Sequence, residues 1–167
     1  MPNKATASIR LAVETDIPAL LPLMRGLAEF ERYADTFAVT EDILRERGFH
    51  RAPPDFYALV AEGEGGLLGM AVFYIVPFTA EAVPALFIKE LFVRAEARGR
   101  GIGQALMRAV SREAVARECG RVRWQVADWN EAGKRFYERL GAKPDPVWIN
   151  YALSPETVRT LADGSSE

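Results

Sequence analysis

The chain has 167 residues, of which 49% are hydrophobic and 26% are charged. This length and composition are typical of one packed globular domain, and they exclude long disorder, collagen-like repeats and coiled coils. The 21 Lys and Arg residues against 23 Asp and Glu residues give a net charge of −2, which provides no overall attraction toward nucleic acid or an anionic membrane. We therefore expect a single domain over residues 1–167, with its core over about 8–153, that acts through a local site.

Cysteine and histidine are too few for two common kinds of site. Cys119 and His50 each occur once, so an internal disulfide and a four-ligand zinc site are both excluded. The sequence contains no apolar stretch long enough for a signal peptide or a bilayer crossing. We expect a cytoplasmic protein that binds neither a metal nor a membrane.

The first half of the chain predicts a strand, two helices and a hairpin. Residues 8–14 alternate apolar and polar side chains, which is typical of a half-buried strand. Helical spacing then predicts a helix to about Tyr33 and a second helix that Thr40 caps, with Ile43 and Leu44 inward and its end at Gly48. Apolar runs over 56–62 and 67–76, separated by a glycine-rich turn, indicate a hairpin.

The second half alternates predicted strands and helices. A strand over 86–93 leads through a glycine-rich segment into a helix that begins near Ile102. A strand over 121–126, a helix over 130–140 that ends at Gly141, a last strand over 147–153 and a capped turn at Ser154 and Pro155 follow. The order β-α-α-β-β-β-α-β-α-β predicts one α/β domain.

The glycine-rich segment carries the clearest chemical signal. Glycines let the backbone approach a ligand closely, and the first turn of the next helix presents unpaired N–H groups at its positive end. The segment therefore predicts a phosphate or pyrophosphate site, and two arginines add charged donors. Gln104 stands where a Walker loop has lysine, and the G-x-G-x-G spacing differs from a dinucleotide fingerprint. A glycine turn without a ligand is the alternative. The residues are Arg98, Gly99, Arg100, Gly101, Ile102 and Gly103.

Two separate blocks resemble the GNAT acetyltransferase superfamily. The first is Arg-x-x-Gly-x-Gly after a strand that ends in LFV, and the second is VADWNE at 126–131 followed by RFYERLGA at 135–142. LAEFE at 27–31, TEDIL at 40–44 and LFIKELFV at 86–93 further resemble the diamine (spermidine/spermine) and thialysine N-acetyltransferase branch. One departure is Lys89-Glu90, where that branch typically has two adjacent acids.

The resemblance implies a fold, a cofactor and an assembly. The fold would be α/β (α+β), with a central mixed, mostly antiparallel sheet that is splayed between strands four and five and flanked by helices. The cofactor would be acetyl-CoA, its pyrophosphate bound at residues 98–103 and its pantetheine and acetyl carbonyl bound by the backbone of Leu91, Phe92 and Val93. Asn130 would contact the pantetheine arm. The resemblance also implies a homodimer.

Two side chains, Tyr137 and Glu90, are candidates for chemical roles. Tyr137 would protonate the departing thiolate, because an ordinary tyrosine pKa of about 10 lies above a thiol's of roughly 8.5. A packed aromatic is the alternative for Tyr137, and a helix N-cap is the alternative for Asn130. Glu90, in an otherwise apolar strand, would take the substrate proton through water or bind its ammonium group. A solvated carboxylate or a buried ion pair is the alternative for Glu90.

The acceptor is predicted to be a small cationic molecule. Glu31 and Asp128 are the best further candidates for attracting an amine, although a solvated helix face explains most acidic residues nearby. Lys89 would weaken binding of a long polycation if its ammonium group faces the pocket. Trp129 is interpreted as structural or incidental, with a place in the lining of the site as the alternative. The predicted function is acetyl transfer to a primary amine of a diamine, polyamine or lysine-like amino acid. Another amine, such as an aminoglycoside or a protein N-terminus, and a non-catalytic acyl-CoA-binding module remain open.

Overall fold

The computed structural model describes residues 7–164. The chain forms two compact units, one up to Asn130 and one from Glu131 onward. The first contains a five-stranded sheet with three helices, and the second contains two helices. No helix within the described residues is long and apolar enough to cross a bilayer.

The sheet of the first unit is mixed and mostly antiparallel. Its spatial order is β1-β2-β3-β4-β5, with antiparallel pairs from β1 to β4 and a parallel pair between β4 and β5. The predicted mixed, mostly antiparallel sheet is therefore confirmed. The strands are β1 (Ser8–Leu11), β2 (Tyr57–Gly63), β3 (Gly66–Val76), β4 (Ala85–Val93) and β5 (Arg121–Trp124).

Helices cover both faces of this sheet. The helices are α1 (Ile17–Phe30), α2 (Glu41–Arg45) and α3 (Ile102–Ala116). Apolar residues of α1 and α2 pack with Val60, Met70 and Val72. Side chains alternate along a strand, so Phe73 lies on the opposite face of the sheet from Val72. Arg117, at the end of α3, lies over the Phe73 ring on that opposite face. The sheet is thus the middle layer, with α1 and α2 on one face and α3 on the other.

The end of α1 differs from the prediction and shapes the site. The helix ends at Phe30 rather than near Tyr33, and Arg32 adopts a left-handed backbone with φ of 66°. The Arg32 N–H donates to Glu29 O at 3.2 Å, and the Tyr33 N–H donates to Ala28 O at 2.9 Å. These two bonds form a Schellman closure, in which glycine usually takes the left-handed position. The chain reverses at Arg32, so Tyr33 leaves the helix axis.

The second predicted helix is only partly confirmed. Thr40 caps α2, since its Oγ1 accepts from the Ile43 N–H at 3.2 Å, and Leu44 is buried at 2% exposure. Ile43 does not point inward, because it is 41% exposed. Gly48 does not end the helix but lies in a π-helical segment, Glu46–His50. A Cβ on Gly48 would stand 2.6 Å from the Phe56 ring, so a close approach explains the glycine.

The second unit contains α4 (Glu131–Arg139) and α5 (Pro155–Ala162). Gly141, with φ of 88°, follows α4 as predicted. The strand predicted over 147–153 is wrong, because those described residues pair with no strand, and Trp148 and Tyr151 are 73% and 89% exposed. Alternating apolar residues form a strand only where a neighbouring strand supplies hydrogen bonds. The predicted turn at Ser154 is the start of α5, which Ser154 caps.

Candidate active site

The sheet opens between β4 and β5, as predicted. β5 pairs with β4 only from Ala85 to Ile88, whereas β4 continues its pairing with β3 to Val93. Beyond Ile88, the edge of β4 that faces β5 has no strand partner among the described residues. Ligands of α/β sheets bind beyond the carboxyl ends of parallel strands, and this opening is such a place. Leu91, Phe92 and Val93, predicted to bind with their backbone, lie along it.

A bulge in β4 marks the start of the opening. Val72 of β3 faces Glu90, and Phe73 faces Ile88, so Lys89 is an extra residue without a cross-strand partner. A bulge bends its strand and redirects the side chains beside it. Lys89 is exposed, whereas Glu90 is half-buried and its Oε2 atom is fully buried.

The glycine loop presents a row of backbone donors. Gly99 and Gly101 have φ of 72° and 79°, and Gly101 is the N-cap of α3. The first bond of the helix runs from the Ala105 N–H to Gly101 O at 3.0 Å. Within the described part of the chain, no backbone N–H of residues 99–104 donates to a protein acceptor. Together with the positive end of α3, these donors form a site for an anion.

The two arginines of the loop differ in their contacts. Arg98 donates from Nε to Val93 O at 3.0 Å, and its guanidinium lies 5.3 Å from the Phe30 ring centre and 5.8 Å from that of Phe92. Arg98 therefore ties the end of β4 to the end of α1, and only its Nη groups are available to a phosphate. Arg100 is exposed, and it has no ion pair or hydrogen bond to another described residue. Arg100 thus has its whole guanidinium group available to a ligand.

Acidic and phenolic groups gather where α1 ends against the bulge of β4. Burial raises the pKa of Glu90, Lys89 lowers it, and Glu31 raises it further. Burial also raises the pKa of Glu31, which Lys89 opposes. Because each group acts on the next through its charge, the structure brings the predicted acceptor residues Glu31 and Glu90 into one neighbourhood. Tyr33, which the sequence analysis missed, belongs to it, since burial, Glu90 and Glu31 raise its pKa to about 12.

Trp129 belongs to the same region, where its contacts are those of a packed side chain. Its ring lies 5.5 Å from that of Phe30, and the Arg32 guanidinium lies 4.8 Å from its ring centre. The loop after β5 therefore contacts the end of α1. Asp128 is an exposed residue of this loop, and its contact with the acceptor stays a prediction.

The two remaining predicted residues lie next to α4 or within it. Asn130 directly precedes this helix, and its N–H donates to Ala127 O at 2.9 Å. In the second unit, the half-buried ring of Tyr137 lies edge-on to Phe136 at 5.2 Å. The roles of Asn130 toward pantetheine and of Tyr137 toward a thiolate stay predictions.

One cavity of the first unit lies beside the opening of the sheet. It has a volume of about 460 Å³ and is lined by α1, Glu41 and residues 92–96. Phe92 is the one predicted site residue in its lining. In the described residues, no group of three or more His, Cys, Asp and Glu side chains is arranged to hold a metal ion.

The sequence is similar to those of characterised acetyltransferases. It is 31% identical to the thialysine N-epsilon-acetyltransferase of Sus scrofa, over 95% of this chain and 98% of that one. It is 27% identical to the L-ornithine N5-acetyltransferase NATA1 of Arabidopsis thaliana, over 95% and 89% of the two chains.

Solved structures share the fold. An integron cassette protein of Vibrio cholerae, VCH_CASS6, superposes with a TM-score of 0.78 at 23% identity, over 94% of this chain and 98% of that one. An aminoglycoside acetyltransferase from a soil metagenome, meta-AAC0020, gives 0.74 at 21% identity, over 89% and 97%. The acetyltransferase (GNAT) family model matches residues 21–142, which include the open sheet edge, the glycine loop and α4. The chain therefore belongs to the GNAT acetyltransferase family and is an acyltransferase.

Proposed function

We propose that this protein transfers an acetyl group from acetyl-CoA directly to a primary amine of a small cationic acceptor, a diamine, polyamine or lysine-like amino acid. The observation that carries this proposal is the row of unpartnered N–H groups at residues 99–104 beside the open edge of β4. The donors suit a pyrophosphate, and an extended strand edge suits the amide groups of a pantetheine arm. Residues 1–167 would act as one domain, because the family match spans both compact units.

The proposed chemistry requires three events. The amine must lose a proton, the acetyl carbonyl must be polarised, and the thiolate must be protonated as it leaves. Glu90 receives the amine proton, and the backbone of residues 91–93 donates to the carbonyl oxygen where negative charge develops. Tyr137 protonates the thiolate. Burial raises the pKa of Glu90. The fraction of Glu90 in the carboxylate form, which accepts the proton, therefore increases as the pH rises above the ordinary pKa of glutamate.

Charge in the site supports a cationic acceptor. Glu31 and Glu90 lie in one neighbourhood, and Asp128 is proposed to complete it. The names of two relatives specify thialysine and ornithine as acceptors, and both fit this proposal. The aminoglycoside acetyltransferase shares the fold alone, so it does not favour an aminoglycoside acceptor.

A screen of amines tests the proposal. Purified protein is incubated with acetyl-CoA and single amines, and thiol release is measured with mass detection of the acetylated product. We expect turnover with short diamines or lysine-like amino acids, and none with neutral amines of similar size. Thiol release only with an aminoglycoside or a peptide N-terminus would contradict the acceptor class, and no release with any amine would contradict the function.

Changing the charge near the bulge is expected to change the ranking of acceptors. Lys89→Glu should raise kcat/KM for spermine by roughly threefold to tenfold relative to a short diamine, because an attractive charge replaces a repulsive one. Glu31→Gln should lower kcat/KM for every cationic acceptor. Arg108→Glu, an exposed position on α3, applies the same charge change as Lys89→Glu and serves as its control. An unaltered ranking in both site variants would contradict the acidic acceptor site.

We also propose that the protein is a homodimer. The support is the resemblance, together with an exposed apolar segment of the second unit. Exposed apolar side chains this closely spaced are typical of an interaction surface. Sedimentation should give twice the chain mass, and Trp148→Ser combined with Ile149→Ser should shift it toward one chain. A wild-type monomer at micromolar concentration would contradict the dimer. The segment comprises Val147, Trp148, Ile149, Tyr151 and Leu153.

A further inference from the structure

Two buried side-chain atoms have no hydrogen-bond partner among the described residues. They are the hydroxyl oxygen of Tyr33 and Oε2 of Glu90. Nearly all buried polar atoms in folded proteins are hydrogen-bonded, because leaving one unpaired costs free energy. That both exceptions occur in one neighbourhood, at the end of α1 and the bulge of β4, indicates a place for a polar group that the chain does not supply.

The backbone holds Tyr33 in this place at some energetic cost. Arg32 takes the left-handed position of the Schellman closure, a conformation that is unfavourable for a residue with a Cβ. Its guanidinium stacks on Trp129, which fixes the reversed chain against the loop after β5. Strain of this kind persists where surrounding contacts hold it, and it is common at ligand sites. After this reversal, Tyr33 lies close enough to Glu90 for the charge of that carboxylate to act on its phenol.

Charged groups around the two atoms favour a cation over an anion. Glu31, from the end of α1, and Glu90, from β4, each act on Tyr33 through their charge. Lys89 is the one cation acting on Glu90, yet it makes no ion pair within 4.0 Å with any described carboxylate. The two carboxylates therefore have no bound partner of opposite charge.

We propose that Tyr33 is an acceptor-positioning residue, whose hydroxyl oxygen and Glu90 Oε2 together hold the reacting amine of the substrate. This inference rests on the proposed function and adds to it a residue that the sequence analysis did not select. An ammonium group has three N–H donors and no acceptor, so two buried oxygens suit it. One N–H points to each oxygen, and the amine is fixed in direction as well as in place.

The proton of the ammonium then has one destination. Glu90 carboxylate takes it, which gives a neutral amine and a neutral carboxylic acid, and the nitrogen lone pair becomes available for attack on the thioester carbonyl. Because the pKa of Tyr33 is raised to about 12, its hydroxyl stays neutral near pH 7 and does not compete as a base. The Tyr33 oxygen thus accepts an N–H hydrogen bond both before and after the proton transfer, and its hydroxyl gives up no proton.

Tyr33→Phe tests this assignment, because it removes one oxygen and keeps the ring. We expect the acceptor KM to rise about fivefold to tenfold, with the KM of acetyl-CoA unchanged, for the amine that the screen identifies as substrate. The free energy of unfolding should not fall, since the deleted hydroxyl has no protein partner. Tyr57→Phe is the matched control, because Tyr57 is a half-buried tyrosine of the same unit that stacks on Phe73.

A double-mutant cycle with Glu90→Gln provides a second measurement. If both oxygens hold one amine, the combined variant should lose less than the product of the two single losses. A wild-type acceptor KM in Tyr33→Phe, or losses that simply multiply, would overturn the assignment and favour a bridging water. These results require an active wild-type enzyme. An inactive wild type across the amine screen would instead contradict the proposed function.

Discussion

Replacement of Tyr137 by phenylalanine is expected to lower turnover by roughly 100-fold or more. The change removes the hydroxyl that is proposed to protonate the thiolate of CoA, and it keeps the aromatic contact with Phe136. Acetyl-CoA affinity, measured by calorimetry, should therefore stay at the wild-type value. The expected result is a loss in kcat with little change in the KM of either substrate.

A second tyrosine of the same unit provides the control for this experiment. Tyr151 is 89% exposed, and Tyr151→Phe removes a hydroxyl without altering a packed ring. Its turnover should equal that of the wild type. If Tyr137→Phe also turns over at the wild-type rate across the pH range, Tyr137 is a packing residue and another donor protonates the thiolate. A rate that recovers with a thioester whose thiol is more acidic would support the assignment, because such a leaving group needs less help from a proton donor.

Local patterns predicted the elements around the proposed acyl-donor site. The hairpin of β2 and β3 follows from period-two alternation around a glycine turn, and α3 follows from its apolar stripe. Each of these patterns depends only on residues that are neighbours in the sequence, so distant parts of the fold do not alter the element that it predicts. The opening between β4 and β5 came from the resemblance, and the short parallel pairing of Ala85–Ile88 confirms it.

The proposed acceptor site was less predictable because it depends on two local irregularities. The helix pattern continues past Phe30, but the chain reverses at Arg32, a position where the usual glycine signal is missing. The bulge at Lys89 likewise has no glycine or proline to mark it. Tyr33 and Glu90 are distant in the sequence, so only the structure shows that their unpartnered oxygens share one neighbourhood. The hydrogen bond from Arg98 to Val93 O was not predictable either, because it forms only when the chain turns back after β4.

The error over 147–153 has a different cause. Val147, Ile149 and other apolar residues of this segment alternate as in a strand, and the alternation is present in the sequence whether or not a partner exists. Strand formation requires a second strand at hydrogen-bonding distance, which a single-chain pattern does not specify. The proposed dimer supplies one reason for such a segment to stay apolar while exposed.

Valine at Gly101 is expected to weaken acetyl-CoA binding by well over tenfold, which is more than about 1.4 kcal/mol. Gly101 caps α3 with a left-handed backbone, and an added Cβ would meet no protein atom within 4 Å, so the fold itself leaves space there. In the proposed complex that space belongs to the phosphates. A branched side chain would both occupy it and pull the backbone from the conformation that aligns the N–H groups of residues 99–104.

Gly65→Val separates these effects from general strain. Gly65, in the turn between β2 and β3, has φ of 89° against 79° for Gly101, and its Cβ would also meet nothing within 4 Å. Both variants therefore carry a similar backbone penalty, and both should lower the free energy of unfolding by a similar amount, on the order of 1–2 kcal/mol. Only Gly101→Val should lose acetyl-CoA affinity in calorimetry. Equal affinities in the two variants, with the fold intact by circular dichroism, would mean that the pyrophosphate is bound elsewhere, and the glycine loop would then be a turn that joins β4 to α3.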